Sequence, residues 1–155
     1  MKRVTPAVEI SAAAQKDISA ITALLRAADL PHADFAGHLE HFLVARRESE
    51  IVGAIGFELH GADALLRSLV VAPTLRGAGL GGGLVNQLTK AARAKEVERF
   101  FLLTMTAESF FAKRGFRKIG RETVPAGIAG TKEFNSLCPV SAVCMTRSLE
   151  AARQP

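Results

Sequence analysis

Glycine crowds the segment Arg76-Gly77-Ala78-Gly79-Leu80-Gly81-Gly82-Gly83, which follows the apolar run Leu65-Leu66-Arg67-Ser68-Leu69-Val70-Val71 and opens a helical pattern. Each glycine inside a helix costs roughly 0.5–1 kcal/mol relative to alanine, so such a density needs a chemical reason. Phosphate binding supplies one. Without Cβ atoms, the N–H groups of a strand-to-helix turn can close on phosphate oxygens, and the helix N-terminus adds the positive end of its dipole. A P-loop would carry Lys-Ser or Lys-Thr where Gly83-Leu84 stand, which removes that option. Gly77-Ala78-Gly79-Leu80-Gly81-Gly82 satisfies G-x-G-x-x-G, but a dinucleotide fold places this turn after its first strand and closes its second with an acidic residue. Four apparent strands precede the turn, and Glu98 lies before the next strand instead of after it, which argues against a dinucleotide.

Arg76-x-x-Gly79-x-Gly81, after a strand ending Leu69-x-Val71-x-Pro73, resembles the GNAT superfamily of acetyl-CoA-dependent N-acetyltransferases, which carries Gln/Arg-x-x-Gly-x-Gly/Ala in this setting. The segment Ala107-Glu108-Ser109-Phe110-Phe111-Ala112-Lys113-Arg114-Gly115-Phe116 is similar to the family's later helix, with its aromatic pair, basic residue and Gly-Phe. The resemblance runs from about Val8 to Leu149. It implies an α/β fold whose mixed central sheet is splayed between the fourth and fifth strands and flanked by helices. It also implies acetyl-CoA as cosubstrate, its pyrophosphate held by Arg76, Gly77, Ala78, Gly79, Leu80, Gly81 and Gly82. Leu69, Val70 and Val71 would then run beside the pantetheine arm, a main-chain N–H of Val70 or Val71 polarising the acetyl carbonyl. Thr104 stands where the family's cofactor-touching Asn is found, and Phe111 where many members carry a Tyr that protonates the coenzyme A thiolate.

The proton-handling groups depart from that pattern. The chain contains no tyrosine, so a phenolic general acid is excluded, and water or simple departure of the thiolate must serve. Candidates for the general base are Glu58 and His60 on the third strand and Glu108 at the start of the later helix. Arg99 stands where some members carry a glutamate base. Arg67 is a guanidinium in an otherwise apolar strand and must find a counter-charge or water. It reads either as an ion pair with another part of the chain, such as Glu58, or as a clamp for an acceptor's carboxylate.

Pro125-Ala126-x-Ile128 and Thr131-Lys132-Glu133-Phe134-Asn135-Ser136-Leu137-Cys138-Pro139-x-Ser141-Ala142-x-Cys144-Met145 are similar to GNAT proteins associated with arsenic-resistance operons. Leu65 to Val71 agrees with that group as well. The resemblance implies acetylation of a primary amine on a small, amino-acid-like molecule, in arsenic or antibiotic detoxification. A sister group acetylates phosphinothricin-type antibiotics, but its Glu one residue before Arg67 is replaced here by Leu66. Two other readings stay open: a module that senses acyl-CoA or a metalloid without turnover, and an acetyltransferase of protein amines. Cys138 and Cys144 have no C-x-x-C spacing and no second pair, so no structural metal site is expected of them; they read as reduced thiols, Cys144 on a core-facing strand position. As thiolates they could instead capture trivalent arsenic.

The elements that must position these residues follow from periodicity. Strands are expected at Val8–Ala12, His41–Ala45, Ile51–Leu59, Ala64–Ala72, Phe100–Leu103, Phe116–Arg121 and Ala142–Leu149. Helices are expected at Lys16–Ala28, from Leu80 to about Lys95, and from about Ala107 to Arg114. Leu30 to Phe35 breaks the first helix, and Glu122 to Val140 is a connection long enough to carry function. Phe100-Phe101-Leu102-Leu103 is continuously apolar, as suits a buried parallel partner of the strand before the glycine turn.

At 155 residues, with 48% hydrophobic and 23% charged, the chain suits one globular domain over residues 7–150, with loose termini at 1–6 and 151–155. No apolar run reaches a membrane span or a secretory signal, so a cytoplasmic location is expected. The net charge of +5 comes from scattered basic residues, with no tyrosine or tryptophan to stack bases, which argues against nucleic acid. Polyanionic coenzyme A accounts for part of the excess. The expected partners are thus acetyl-CoA and a small amine, without nucleic acid or membrane, and the assembly can be a homodimer.

Overall fold

The computed structural model describes residues 7–149; the termini expected to be loose, 1–6 and 151–155, lie outside the described residues. Seven strands form one mixed sheet in the order β1-β2-β3-β4-β5-β7-β6. They are β1 (Val8–Ala12), β2 (Phe42–Arg47), β3 (Glu50–His60), β4 (Asp63–Val71), β5 (Arg99–Thr104), β6 (Arg117–Ile119) and β7 (Val143–Ser148). The helices are α1 (Ile18–Ala27), α2 (Leu80–Ala94), α3 (Glu108–Ala112) and α4 (Ala126–Ala129). The chain groups into two compact units, one of residues 7–56 with Ser68–Leu88 and the other of Phe57–Arg67 with residues 89–149, so β3, β4 and α2 each pass from one unit into the other.

In the first unit β1 runs antiparallel to β2, from Val8↔Arg47 to Ala12↔Leu43, and β2 antiparallel to β3 with a register shift between Ala45 and Arg46. The apolar spacing of α1 buries Ile21 and Leu25 completely against Phe35, Phe42, Val44, Ala54 and Val70. The helix stops where Asp29 turns left-handed at φ 59° and Leu30 N–H donates to Leu25 O at 2.9 Å. Ahead of α1, the stretch expected as its first turn is a separate 3-10 turn, Gln15–Asp17. Asp17 is nearly sealed and takes both Nη groups of Arg46, at 3.0 and 2.8 Å, plus the Ala14 N–H at 2.8 Å. His41, expected in a strand, closes a 3-10 segment over Phe35–His41 instead.

In the second unit β4 pairs parallel with β5 through Asp63↔Arg99, Ala64↔Phe100 and Leu65↔Phe101, and the ladder stops there. β5 continues to Thr104 and keeps its antiparallel partner β7 as far as Thr104↔Val143. This early end of the parallel ladder is the parting of fourth and fifth strands that the sequence led one to expect. Phenylalanines fill the interior: Phe57 on Phe100, Phe100 stacked on Phe116, and Phe111 edge-on to both Phe110 and Phe116. The connection after β6 is more ordered than its sequence suggested. It holds a 3-10 turn at Arg121–Thr123, the short α4, and a π-helical turn over Glu133–Leu137. Arg121 ties it together by donating to Phe134 O at 2.9 Å and Pro139 O at 2.8 Å.

Candidate functional site

Midway along β4 the extended conformation breaks at one residue, Ser68, which is buried at φ 63°, a conformation L-residues rarely adopt outside turns. Beyond the break, Val70 packs into the α1 cluster, so toward a ligand it can offer only its backbone. Leu69 and Val71, on the opposite alternation, are half-buried. The chain then makes a 3-10 turn at Pro73–Leu75, and Arg76 folds back so that its Nε donates to Val71 O at 3.0 Å.

The glycine turn has the backbone its composition implies. Gly77 and Gly79 sit at φ 87° and 88°, where a Cβ would be strained although nothing crowds it. The first α-helical bond after them is Gly83 N–H to Gly79 O at 3.1 Å. The N–H groups of Leu80, Gly81 and Gly82 therefore belong to the first turn of α2, which has no intrahelical acceptors for them. A fifteen-residue helix stands behind these donors. Arg76, Gly77, Ala78 and Gly79 are solvent-exposed, so a phosphorylated ligand can reach the turn.

The second unit gathers a different set of groups. Arg67, whose side chain has no exposed surface, donates from Nη1 to Glu58 Oε2 at 2.6 Å and brings its Nε within 3.3 Å of Glu133 Oε2. Both carboxylates are buried, at 3% and 4% exposure. His60 Nε2 lies 3.5 Å from Glu58 Oε1 and is itself buried without a hydrogen-bond partner among the described residues. On the far side the Cys138 thiol donates to Glu133 Oε1 across 3.8 Å. Burial first, and the Glu133 charge next, push the Cys138 thiol up to about 12, while burial pushes Cys144 up to about 11. Neither sulfur is held as a thiolate.

The expected site residues thus fall into two groups. Leu69, Val70, Val71 and the turn from Arg76 to Gly82 lie together in the first unit; Glu58, His60 and Arg67 are joined in the second. Thr104 also lies in the second unit, its Oγ1 accepting the Ala107 N–H at 3.0 Å ahead of α3, and Phe111 is sealed in the aromatic cluster. Glu108 is exposed, and Arg99 is occupied by Asp63 at 2.9 Å. Glu133 was missing from the sequence-based candidates, although a signal existed: a guanidinium buried in an apolar strand calls for counter-charge, and a carboxylate of the long connection supplies it. The left-handed Ser68 left no mark in its residue type.

The acetyltransferase (GNAT) domain family matches residues 38–118, just over half of the chain. An amino-acid acetyltransferase of Mycobacterium tuberculosis is 34% identical over 73 residues, which are 47% of this chain and 38% of that protein. Among solved structures, N-acetylglutamate synthase from Neisseria gonorrhoeae in complex with coenzyme A and N-acetyl-glutamate superimposes with a TM-score of 0.83 at 22% identity, over 97% of this chain and 36% of that one. A Mycobacterium tuberculosis protein in complex with CoA gives 0.77 at 22% identity, over 90% of this chain and 98% of its own length. The chain therefore spans little more than a third of the named amino-acid acetyltransferase and of the synthase, and its fold is the one these CoA-bound structures share.

Proposed function

Because the chain belongs to the GNAT acetyltransferase family, we propose that it transfers the acetyl group of acetyl-CoA to the primary amine of a small, amino-acid-like acceptor. The observation that carries the reading is the turn from Arg76 to Gly82, with two left-handed glycines and three helix-start N–H groups, which suits a pyrophosphate. The amino-acid acetyltransferase relative and the arsenic-operon-like segment from Pro125 to Met145 support an amino-acid-like acceptor, met in detoxification. In the proposed reaction the acceptor nitrogen attacks the thioester carbonyl, whose oxygen a main-chain N–H polarises. Glu58 removes the proton from nitrogen, the C–S bond breaks, and coenzyme A leaves as thiolate. An alkyl thiolate is a far weaker base than an alkoxide or an amide anion, so it can depart without the missing tyrosine. We assign Arg67 to Glu58 rather than to a substrate carboxylate, since its side chain is sealed between two glutamates.

The test is thiol release from acetyl-CoA across a panel of amines that includes amino acids, their decarboxylated analogues and a peptide N-terminus. Release above background hydrolysis with amino-acid-like amines is expected. If coenzyme A binds but no amine accelerates release, the protein is a sensor of acyl-CoA and not a transferase; release with the peptide alone would make it a protein acetyltransferase.

A further inference from the structure

The connection between β6 and β7 sends one carboxylate, Glu133, into the interior, and it ends on the same guanidinium that holds the candidate base. Taking ions out of water costs several kcal/mol each, and buried ion pairs commonly stabilise a fold no better than apolar residues of the same volume. Fold stability is therefore a weak reason for burying two glutamates around one arginine. The geometry offers a better one. Glu58 engages Nη1 and Glu133 approaches Nε, so the planar guanidinium is held at two of its nitrogens and cannot turn about a single bond. With Glu58 Oε2 fixed at 2.6 Å, its other oxygen, Oε1, is the one that faces His60 Nε2 at 3.5 Å. Glu133 is in turn held from behind by the Cys138 thiol. The five side chains form one series: Cys138, Glu133, Arg67, Glu58, His60.

We infer that Glu133 is a positioning residue for acetyl transfer: through Arg67 it fixes the orientation of the Glu58 carboxylate, so the π-helical turn after β6 governs catalysis without touching the substrate. This rests on the transferase reading and on Glu58 as its base. Removing the Glu133 side chain takes from Arg67 the contact at Nε, and with it one of the restraints on the guanidinium that orients Glu58. A misplacement of about 1 Å in a reacting group can lower the rate by about a hundredfold.

The experiment uses the whole chain, acetyl-CoA and the best amine of the panel, with kcat and both KM values measured below the melting temperature of every variant. Glu133→Ala should lower kcat roughly ten- to hundredfold while the KM for acetyl-CoA and the KM for the amine each change less than about threefold. Glu133→Gln, whose amide oxygen can still accept from Arg67 Nε, should recover most of that loss. An unchanged kcat in folded Glu133→Ala overturns the inference. So does a rise in the amine KM alone, which would place Glu133 against the acceptor, or a Gln variant no better than Ala. Should Glu133→Ala fail to fold, Glu133→Asp retracts the carboxylate by one methylene and is read the same way: loss of kcat supports the inference, and wild-type kcat overturns it. If the wild-type protein turns over no amine, the transferase reading falls and this inference with it; an active wild type with an indifferent Glu133 overturns this inference alone.

Discussion

Gly79, at φ 88°, combines two requirements that a single substitution can separate. Any side chain there meets backbone strain, yet Asn and Asp tolerate the left-handed region better than other residues. Gly79→Asp adds a negative charge where a pyrophosphate is expected, and Gly79→Asn adds nearly the same bulk without it. Calorimetry should find coenzyme A affinity lowered at least tenfold further in the Asp variant than in the Asn variant, and equal losses would remove charge repulsion from the argument. The thiols make a second case. With Cys138 pushed up to about 12 and Cys144 up to about 11, each should react with a disulfide reagent at pH 8 at least about tenfold slower than a free cysteine of pKa about 8.5, the scarcer thiolate outweighing its greater nucleophilicity. A Cys138→Ser, Cys144→Ala double variant is expected to keep acetyl transfer, since a serine hydroxyl can still donate to Glu133. Fast labelling of the folded protein, or turnover lost without loss of folding, would instead return the sulfurs to the list of functional groups. From sequence alone Arg67 could be narrowed to two roles, because an apolar strand forces a guanidinium to find a partner. Which partners it found depended on Glu133, far along the chain, and no local pattern carries that information.

Elements are held together here by a few contacts whose removal has a defined sign. The pair of Asp17 and Arg46 fastens the start of α1 to β2. The hydrogen bonds from Arg46 hold the Asp17 carboxyl below its usual range, against the opposing effect of burial. A carboxyl depressed in the folded state contributes stability above its unfolded pKa of about 3.9 and loses it as pH falls through the folded value. The melting-temperature gap between wild type and Asp17→Asn should thus be constant above about pH 5 and shrink below about pH 4; a gap independent of pH would mean that the charge does not matter. Gly56 in β3 lies under Phe42, whose ring a Cβ would overlap. Gly56→Ala is expected to cost about 1–3 kcal/mol in chemical denaturation, and no change would mean that the Phe42 ring moves freely. The long alternating or apolar stretches, β1, β3 and β5, were readable from residue type because each keeps one pattern over five residues or more. The turns of four and five residues inside the connection after β6 were not readable, since so short a helix repeats its pattern barely once.

Over the whole molecule, ligand binding and stability are linked. At a free acetyl-CoA concentration a hundred times its Kd, binding adds about 2.7 kcal/mol, which for a chain of this size raises the melting temperature by about 5–10 °C. A thermal scan at increasing acetyl-CoA should follow that logarithmic rise, and a melting temperature indifferent to the ligand would count against any acyl-CoA site. The parallel pairing of β4 with β5 follows from one strand-turn-helix-strand passage that the sequence announces through its glycines. The interleaving of the two units is a different matter, because it depends on where β3 and β4 are divided and not on any residue's preference. That interleaving bears on how the protein is made. The ribosome releases Phe57 to Arg67 before the first unit is complete, and the first unit is complete only once Leu88 has emerged. At about 5–20 residues per second, Arg67 then waits roughly 3–13 s for Glu133 to be synthesised. Glu58 is synthesised just ahead of Arg67, so the nascent chain carries the guanidinium with Glu58 and without Glu133, and a chaperone or a pause in translation before Glu133 meets an ion group still incomplete.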